Sequence, residues 1–374
     1  MDRVFALSIH ADYQCRHSGV CCTSDWDVPA ELPIYRSLEE AMTAGALGAA
    51  GMPAHDDPVL VTAGELPEGA AAMVSRTSTG DCVFYHRGSR LCVVHRDLGE
   101  STLPYTCRDF PRLAVRDQRG TFISLTHYCP TAAASLFRED VPLEIVAAPP
   151  AFPVAEYEGL QVDQDDWPPL LHPTMLMDLE GYTAWERHMV ARCADACSSP
   201  EAITATLERD ARVLRDFAPG AEASLVNAIA SLPAGTVTAP PHVTLCTSLV
   251  MFGDVLRAIP DDMRPSPDEQ SLPETFMASV APEWSKWWAP LRRYLAAKAF
   301  ANWTAYQGRG ILSIVRGLDA ALALVRVEAA RKCRDAGHSL DGDLLREAIR
   351  RADFLLNHLA AADELADIWS VAEL

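Results

Sequence analysis

Apolar positions recur at helical spacing through the second half of the chain, and this regularity is lost in the first 150 residues. Intervals of three and four residues place side chains on one helix face, and they separate the apolar positions Leu345, Ile349, Ala352, Leu356 and Leu359. Ser199 followed by Pro200 predicts a capped helix start, and Gly220 closes that segment. Similar patterns predict helices near residues 174–195, 221–231, 241–259, 286–306, 309–336 and 341–360.

The first 150 residues mix Gly, Pro and aromatic residues and contain short strand-like runs instead. The runs 82–86 and 91–95 flank a Gly-containing tetrapeptide, which predicts a hairpin, and residues 121–126 predict another strand. The stretch after residue 147 is dense in Pro and Asp. We therefore predict a mainly α fold, with an irregular cysteine-rich α+β domain over residues 1–147, a linker over 148–173 and a helical domain over 174–374.

The charge balance restricts the partners that the chain can attract. With 32 Lys and Arg against 51 Asp and Glu, the 374 residues carry a net charge of −19. This field repels phosphate, so we expect no nucleic acid and no membrane as partner, whereas a protein substrate presenting lysines is attracted. No run reaches the roughly 18–20 apolar residues of a membrane span, and the apolar run at 4–9 is too short for a signal peptide. We therefore expect a cytoplasmic protein.

The cysteines are concentrated near the N-terminus. Seven of the eleven lie in about a third of the chain: Cys15, Cys21, Cys22, Cys82, Cys92, Cys107 and Cys129. In a reducing compartment such clustered thiols are typical of metal sites or catalytic groups rather than disulfides. Thiolates are soft ligands that favour zinc or iron–sulfur clusters, and Cys129-Pro130 resembles the Cys-Pro of ferredoxin motifs. We therefore predict that residues 1–147 form a metal-binding domain with these seven thiols as candidate ligands.

Two questions about the thiols stay open. Seven exceed the four that one tetrahedral zinc or one cubane needs, so either a second metal binds or some thiols have another role. Gly19 permits the tight backbone that would turn the adjacent cysteines toward a metal. The remaining four cysteines lie in apolar or helical patterns and are expected to be buried and structural: Cys193, Cys197, Cys246 and Cys333.

The order of these motifs resembles a known family. Cys15-x2-Ser18-Gly19-x-Cys21-Cys22, followed by further cysteines and Cys107-Arg108-x-Phe110-Pro111, is similar to the YkgJ-type cysteine-cluster family of zinc- or iron-chelating proteins. Within it, the chain resembles the flagellin lysine-N-methylases through two segments: Leu91-Cys92-x2-His95-x2-Leu98-Gly99-x3-Leu103-Pro104-x-Thr106-Cys107-Arg108-x-Phe110-Pro111-Arg112 and Leu125-Thr126-x2-Cys129-Pro130. The likeness covers roughly residues 13–137. A vaguer one lies at residues 294–306.

This resemblance implies a specific activity and its cofactors. The methylases transfer methyl groups from S-adenosylmethionine to lysine side chains of flagellin, and their family is associated with a [4Fe–4S] cluster. The implied partner is thus a flagellin-like protein substrate. Ser18 stands where the broader family usually has a cysteine, so a cluster would use His17, Cys22 or a hairpin cysteine in its place.

Methyl transfer to lysine requires a site that deprotonates the ammonium, holds it and excludes water. An aromatic cage with a carboxylate suits the cation before it loses its proton. The candidates for these catalytic roles lie near cysteines: Asp25, Trp26, Tyr105 and Asp109, with Asp27 beside them. Arg108 is expected to pair with a carboxylate or the cluster. Three histidines close to cysteines are candidate ligands or donors to ligands: His86, His95 and His127.

Other chemistries find no support in the motifs. The glycines at 45–51 and 308–310 lack the strand–turn–helix context of a dinucleotide site, and no P-loop, HExxH or GxSxG pattern is present. The methyl-donor site is therefore not assigned. Two alternatives to the methylase remain open: a non-catalytic zinc- or iron-chelating or metal-delivery protein, and a redox sensor that uses the excess thiols.

Overall fold

The computed structural model describes residues 3–24, 26–47, 59–62, 64, 66–153, 157, 159–163, 166–220, 224–238, 244–265 and 270–370. It divides into two compact units. The cysteine unit comprises Gln14–Arg112 and Cys129–Thr131, and the helical unit comprises Met1–Tyr13, Leu113–Tyr128 and Ala132–Leu374.

Strands are short and helices predominate. The strands are β1 Val4–Leu7, β2 Pro29–Glu31, β3 Leu60–Val61, β4 Ala70–Val74, β5 Tyr85–His86, β6 Leu91–Cys92, β7 Arg112–Asp117, β8 Gly120–Leu125, β9 Ile145–Ala147, β10 Gly159–Gln161, β11 Leu170–His172 and β12 Met175–Leu176. The helices are α1 Leu32–Thr43, α2 Val93–Leu98, α3 Tyr105–Asp109, α4 Pro130–Ser135, α5 Leu179–Ala194, α6 Pro200–Arg215, α7 Leu225–Ala230, α8 Leu245–Arg257, α9 Leu272–Thr275, α10 Ala281–Trp284, α11 Trp288–Ala299, α12 Ile311–Ala336, α13 Gly342–Phe354 and α14 Ala362–Ser370. The fold is mixed α+β and mostly helical, which confirms the predicted class at this level.

The helical unit is built around α12. Its 26 residues are buried on nearly every face, with Leu318, Leu322 and Val325 fully inaccessible. A helix that is apolar all round belongs in the interior of a protein, and α6, α8, α11, α13 and α14 all pack against it. Gly337, with φ +70°, ends the helix in the left-handed conformation that glycine adopts without strain.

A five-stranded sheet in the order β10-β7-β8-β1-β9 completes this unit. β1 runs parallel to β8 with Phe5 opposite Phe122, and antiparallel to β9. β10 runs parallel to β7. Apolar residues of β1 and β8, such as Leu7 and Ile123, are fully buried.

The cysteine unit has a smaller core and little regular structure. β2, β4 and β3 form an antiparallel sheet, and β5 pairs with β6 in a hairpin. Its buried cluster joins aliphatic residues such as Leu38 and Val93 with Phe84, Tyr85 and two thiols, Cys22 and Cys82. The cysteines are therefore part of the packing of this unit as well as candidate ligands.

Several local predictions are confirmed. Helices lie in every segment where the pattern predicted one, and the Ser199 hydroxyl accepts the Ala202 amide hydrogen at the start of α6 as expected. The predicted strand at 121–126 is β8. The predicted hairpin forms, but only Tyr85–His86 and Leu91–Cys92 pair, because the chain turns into helix α2 at Val93.

The domain boundaries differ from the sequence prediction. The two units do not divide at residues 147 and 173, because β1 pairs with β8 and β9 and so places both the N-terminus and residues 113–128 in the helical unit. The predicted linker 148–173 contains β10 and β11, and Leu160 of β10 lies opposite Val115 of β7. Within the described ranges, no helix has both the length and the apolar character to cross a bilayer.

Candidate functional site

The loop that carries the first three cysteines turns at Gly19. Gly19 has φ +79° and precedes a short 3-10 turn, Val20–Cys22, whose first hydrogen bond runs from the Cys22 amide to the Gly19 carbonyl at 2.9 Å. A Cβ on Gly19 would lie 2.6 Å from the Tyr85 hydroxyl oxygen. Glycine is therefore required here for two reasons: the backbone is left-handed, and a side chain would collide with the hairpin. This agrees with the tight loop expected at Gly19.

Backbone hydrogen bonds hold this loop against the segment that leads into the hairpin. The Cys82 amide donates to the Cys22 carbonyl at 2.7 Å. The Arg76 guanidinium donates to the Cys22 carbonyl at 3.4 Å and to the Trp26 carbonyl. The adjacent Cys21 and Cys22 are thus brought close to Cys82, some 60 residues later in the sequence, by hydrogen bonds to the main chain.

Cys22 interacts with two other thiols. The sulfurs of Cys21 and Cys22 are 3.9 Å apart, and Cys22 also hydrogen-bonds with Cys92. The hydrogen bonds that Cys22 makes with Cys21 and Cys92 strongly raise its own pKa. The hydrogen bond with Cys22 lowers the pKa of Cys21, and that between Cys92 and Cys22 brings the pKa of Cys92 to about 7. Two of the seven sulfurs are therefore more easily deprotonated than an ordinary cysteine.

The other thiols are buried near this group. Burial raises the pKa of Cys82 to about 11, and it raises that of Cys107 well above the ordinary value, with further contributions from Cys82, Cys21 and Cys92. Burial also raises the pKa of Cys15, whose neighbours include Cys21 and Cys129. Each of the seven candidate ligands thus lies electrostatically close to at least one other, and all seven belong to the cysteine unit.

These thiols fit a soft metal in kind and number, but not in present arrangement. A cubane or a tetrahedral zinc needs four thiolate or imidazole donors, and the cysteine unit offers seven. Among the residues that the structure describes, however, no three His, Cys, Asp or Glu side chains are grouped so that they could hold a metal ion. Metal binding would therefore require the side chains to turn toward a common point.

The predicted carboxylate–aromatic pair beside Cys107 already holds a cation. The Arg108 guanidinium lies 4.3 Å from the centre of the Tyr105 ring, and its Nε is 3.5 Å from Asp109 Oδ1. The Tyr105 amide also donates to the Glu31 carboxylate at 3.2 Å. Arg108 pairs with a carboxylate, as expected, and in doing so it occupies the position that a substrate ammonium would need between Tyr105 and Asp109.

The other predicted catalytic group is only partly described. Trp26 packs in the core of the cysteine unit, with its ring 5.2 Å from that of Phe110. This half-buried ring serves as packing. Asp27 is exposed, and Asp25 lies outside the described residues.

Two of the candidate histidines lie in the cysteine unit. His86 Nδ1 accepts the Ser89 amide hydrogen at 3.1 Å and lies 2.7 Å from its hydroxyl, so this ring stabilises the hairpin turn. The His95 ring lies 5.0 Å from the His17 ring. The third histidine, His127, is in the helical unit and belongs to a cluster that the sequence did not predict.

Asp353 is the centre of this cluster. It is fully buried, and Lys298 Nζ lies 2.6 Å from Oδ1, to which the Tyr294 hydroxyl donates at 2.9 Å. Oδ2 accepts the His127 amide hydrogen and lies 3.3 Å from His127 Nδ1. Burial alone would raise the pKa of Asp353, but Lys298 and His127 outweigh it and hold the pKa well below the ordinary range.

The hydrogen bonds fix the histidine tautomers in this cluster. Since His127 Nδ1 faces the Asp353 carboxylate, it carries the proton, and His127 Nε2 accepts one from His10 Nε2 at 3.3 Å. Burial lowers the pKa of both rings, which keeps them neutral. His10 Nδ1 is then an acceptor, and it is buried without a partner among the described residues.

A sequence signal for this cluster existed. Asp353 follows Ile349 by four residues, and Lys298 follows Tyr294 by four, so both charges fall on helix faces whose neighbours are buried. A charge on an apolar stripe requires a buried partner. Pairing the two, however, requires knowledge of which helices touch.

The comparisons with known proteins add no relative. No family model matches the chain, and no curated protein and no solved structure is significantly similar to it.

Proposed function

We propose that the cysteine unit binds a metal centre through its thiols, a [4Fe–4S] cluster in the first place and zinc as the alternative. The observation that carries this proposal is that all seven N-terminal cysteines fall into one compact unit and interact with one another. A protein that kept buried thiols only for packing would have no need to bring together so many. The excess of sulfur donors and the reducing compartment inferred from the sequence favour metal over disulfides.

The candidate ligands form one connected set of thiols. Cys21, Cys22, Cys82, Cys92 and Cys107 interact mutually, and Cys15 interacts with Cys21 and Cys129. A bound cation would favour the thiolate form and so offset the burial that now raises the pKa of Cys82 and Cys107. Arg76 would contribute in the same direction, since its positive charge partly offsets the rise that burial causes in the pKa of both thiols.

By resemblance, we further propose that the protein is a cytoplasmic S-adenosylmethionine-dependent protein-lysine N-methyltransferase acting on a flagellin-like protein. The net charge of −19 supports a substrate with exposed lysines. The cage of Tyr105 and Asp109 would serve such a substrate only if Arg108 moved away from it.

Metal analysis of anaerobically purified protein tests the first part. A cluster predicts about four irons and four acid-labile sulfides with broad visible absorbance, whereas stoichiometric zinc without colour favours the alternative. Cys107→Ala and Cys129→Ala should each lower metal content, and Cys246→Ala, which changes an exposed cysteine of the helical unit, should not. Full metal content in both ligand variants would overturn the assignment.

A non-catalytic metal-chelating protein is the second candidate. It is favoured by the occupied Tyr105–Asp109 pair, which leaves no open cage beside Cys107. Calorimetry with S-adenosylmethionine separates the two candidates. Micromolar binding, followed by methyl transfer to flagellin, supports the enzyme. Metal without any binding of the methyl donor supports the chelator.

A further inference from the structure

A cavity of about 260 Å³ lies between helices α6, α8 and α12 of the helical unit. Its polar lining consists of hydroxyl groups and charged side chains, and its apolar lining comes from Ala205, Met251 and Val315. A cavity of about 150 Å³ is known to hold benzene, so this space is large enough for a small organic molecule. Its mixed lining suits a short alkyl chain that ends in a polar group.

Asp319 of α12 is a carboxylate in this cavity that a ligand can reach. Its Oδ1 accepts a hydrogen bond from the Thr204 hydroxyl at 3.4 Å, which is the only hydrogen bond of this side chain among the described residues. Oδ2 is not one of the unpaired polar atoms that the described part of the chain buries completely. This oxygen is therefore both unpaired and open to a molecule in the cavity.

The other acidic groups of the cavity already have partners. Arg326 Nη2 lies 2.9 Å from Glu201 Oε1, and Arg212 Nη2 lies 2.7 Å from Glu208 Oε1. A carboxylate that is paired in this way has little to gain from a second cation, since its charge is already compensated. Among the described lining residues, Asp319 is therefore the carboxylate that lacks an ion pair.

The electrostatic surroundings of Asp319 favour a cation. Burial raises the pKa of this carboxyl, Arg326 opposes the rise, and the neighbouring carboxylates add to it. Arg316, the other cation of the lining, donates from Nη1 to the Trp369 carbonyl at 2.7 Å and is not among the charges that act most strongly on Asp319. A positive charge on a ligand would stabilise the ionised carboxylate.

The single open oxygen selects the kind of cation. A guanidinium binds a carboxylate through two parallel hydrogen bonds, but the Thr204 hydroxyl already lies against Asp319 Oδ1. Calcium and magnesium take six or more oxygen ligands, and no three acidic, His or Cys side chains of the described residues are grouped to hold a metal ion. A primary ammonium needs one carboxylate oxygen and can donate its other hydrogens to the hydroxyls of Thr244 and Thr247.

We propose that this cavity binds a primary alkylammonium group, carried by a free amine or by a lysine side chain. The ammonium donates to Asp319 Oδ2, and the alkyl chain lies against Ala205, Met251 and Val315. The site lies wholly in the helical unit and requires neither a metal centre nor methyl transfer. It can therefore be tested separately from the function proposed above.

Butylammonium, its uncharged counterpart 1-butanol and butylguanidinium test the proposal on the full-length protein. Ligand-observed NMR titrations measure the three affinities at physiological salt, which screens the general attraction of the acidic chain for cations. We expect butylammonium to bind about tenfold more tightly than 1-butanol, as a charge-assisted hydrogen bond allows, and more tightly than butylguanidinium. Equal affinities for the amine and the alcohol, tighter binding of the guanidinium or no binding of butylammonium would each overturn the proposal.

The source of the ammonium is identified with Nα-acetyl-lysine methylamide and the matched norleucine derivative, which lacks the ammonium group. Tighter binding of the lysine derivative than of butylammonium assigns the site to a lysine side chain. Equal or weaker binding assigns it to a free amine. In either case the norleucine derivative should bind about tenfold more weakly than the lysine derivative, and equal binding of the two derivatives would contradict the proposed role of the ammonium.

A matched pair of variants then assigns the carboxylate. Asp319→Asn keeps the shape of the side chain and an acceptor for Thr204, and it should lower the affinity for butylammonium about tenfold while that for 1-butanol is unchanged. Asp335→Asn, the same change at an exposed position of α12, should leave both affinities unchanged. If Asp319→Asn does not fold, Asp319→Ala makes the same test. Undiminished binding of butylammonium after the loss of the Asp319 carboxylate would overturn the assignment.

Discussion

The two units solve the problem of stability differently. The helical unit surrounds α12 with apolar side chains and pairs its buried charges, as at Asp353 and Lys298. In the cysteine unit, short strands and helices surround a small core to which thiols themselves contribute. Where a domain buries little apolar surface, a bound metal can supply part of the stabilisation that its core lacks. If the cysteines hold a metal, that centre stabilises the cysteine unit in the way that packing around the buried helix α12 stabilises the helical unit.

Metal removal should therefore destabilise the cysteine unit and leave the helical unit stable, and this is the largest effect we expect. Structural zinc contributes roughly 10–16 kcal/mol of apparent binding free energy in small domains. Treatment with a chelator should increase amide hydrogen exchange throughout the cysteine unit, including β4 and the hairpin, and leave α12 protected. Exchange measured by mass spectrometry, peptide by peptide, makes the comparison. Unchanged protection in the metal-free protein would contradict a structural role for the centre.

Breaking the Asp353 cluster should destabilise the helical unit and leave the cysteine unit unaffected, the reverse of the effect of metal removal. Asp353→Ala leaves Lys298 as a buried cation without its partner, which costs about 3–5 kcal/mol. Urea unfolding followed by tryptophan fluorescence reports on this unit, since seven of the eight tryptophans lie in it. Asp335→Ala is the control, because Asp335 is exposed and pairs with Arg334 at the surface. A loss below 1 kcal/mol in Asp353→Ala would show that the pair is not important for stability.

The sequence predicted the helical unit far better than the site. Periodicity is a local property, so the sequence pattern could predict α6, α12 and α13, together with the Ser199 cap and the hairpin. The pairing of β1 with β8 is a long-range contact that no local pattern encodes. Exposure of cysteines was also misjudged: Cys193 and Cys333 are buried as expected, whereas Cys197 and Cys246 are exposed.

The catalytic candidates show why proximity in sequence is a weak guide. Tyr105 and Asp109 were chosen because they flank Cys107, but helix α3 places Arg108 between them as a partner. Tyr294 and Lys298 lie on α11 and Asp353 lies on α13, and together they form a better-connected cluster than any group adjacent to a cysteine.

The Gly19 contact offers a smaller perturbation of the cysteine unit. Gly19→Ala places a Cβ 2.6 Å from the Tyr85 hydroxyl and forces φ +79° on alanine, so we expect a loss of about 2 kcal/mol in this unit and lower metal content. Gly45→Ala is the matched control, since Gly45 also has positive φ, +67°, but meets nothing within 4 Å. Thermal unfolding and metal analysis compare the two. Equal losses in both variants would mean that backbone strain acts alone, without the hairpin contact.

The smallest expected effect is a pH dependence of the helical unit. Burial lowers the pKa of His358 to about 4, so the folded protein keeps this ring neutral while the unfolded chain protonates it near pH 6.5. The unfolded state therefore binds more protons, and the free energy of unfolding should fall as pH drops from about 6.5 to about 4. Burial also lowers the pKa of the fully buried rings of His10 and His127, so they contribute to the pH dependence with the same sign.

Replacing His358 should remove only the part of the pH dependence of the free energy of unfolding that this ring causes. Urea unfolding of His358→Gln between pH 7 and 4 should lose stability less steeply than the wild type, by up to about 1.4 kcal/mol per pH unit between the two pKa values. Thr126→Val removes the hydroxyl that lies 3.1 Å from His358 Nε2 but keeps the ring, so it should lower stability without changing the slope. A flattened slope in Thr126→Val would instead assign the lowered pKa of His358 to that hydrogen bond, and burial would not be its cause.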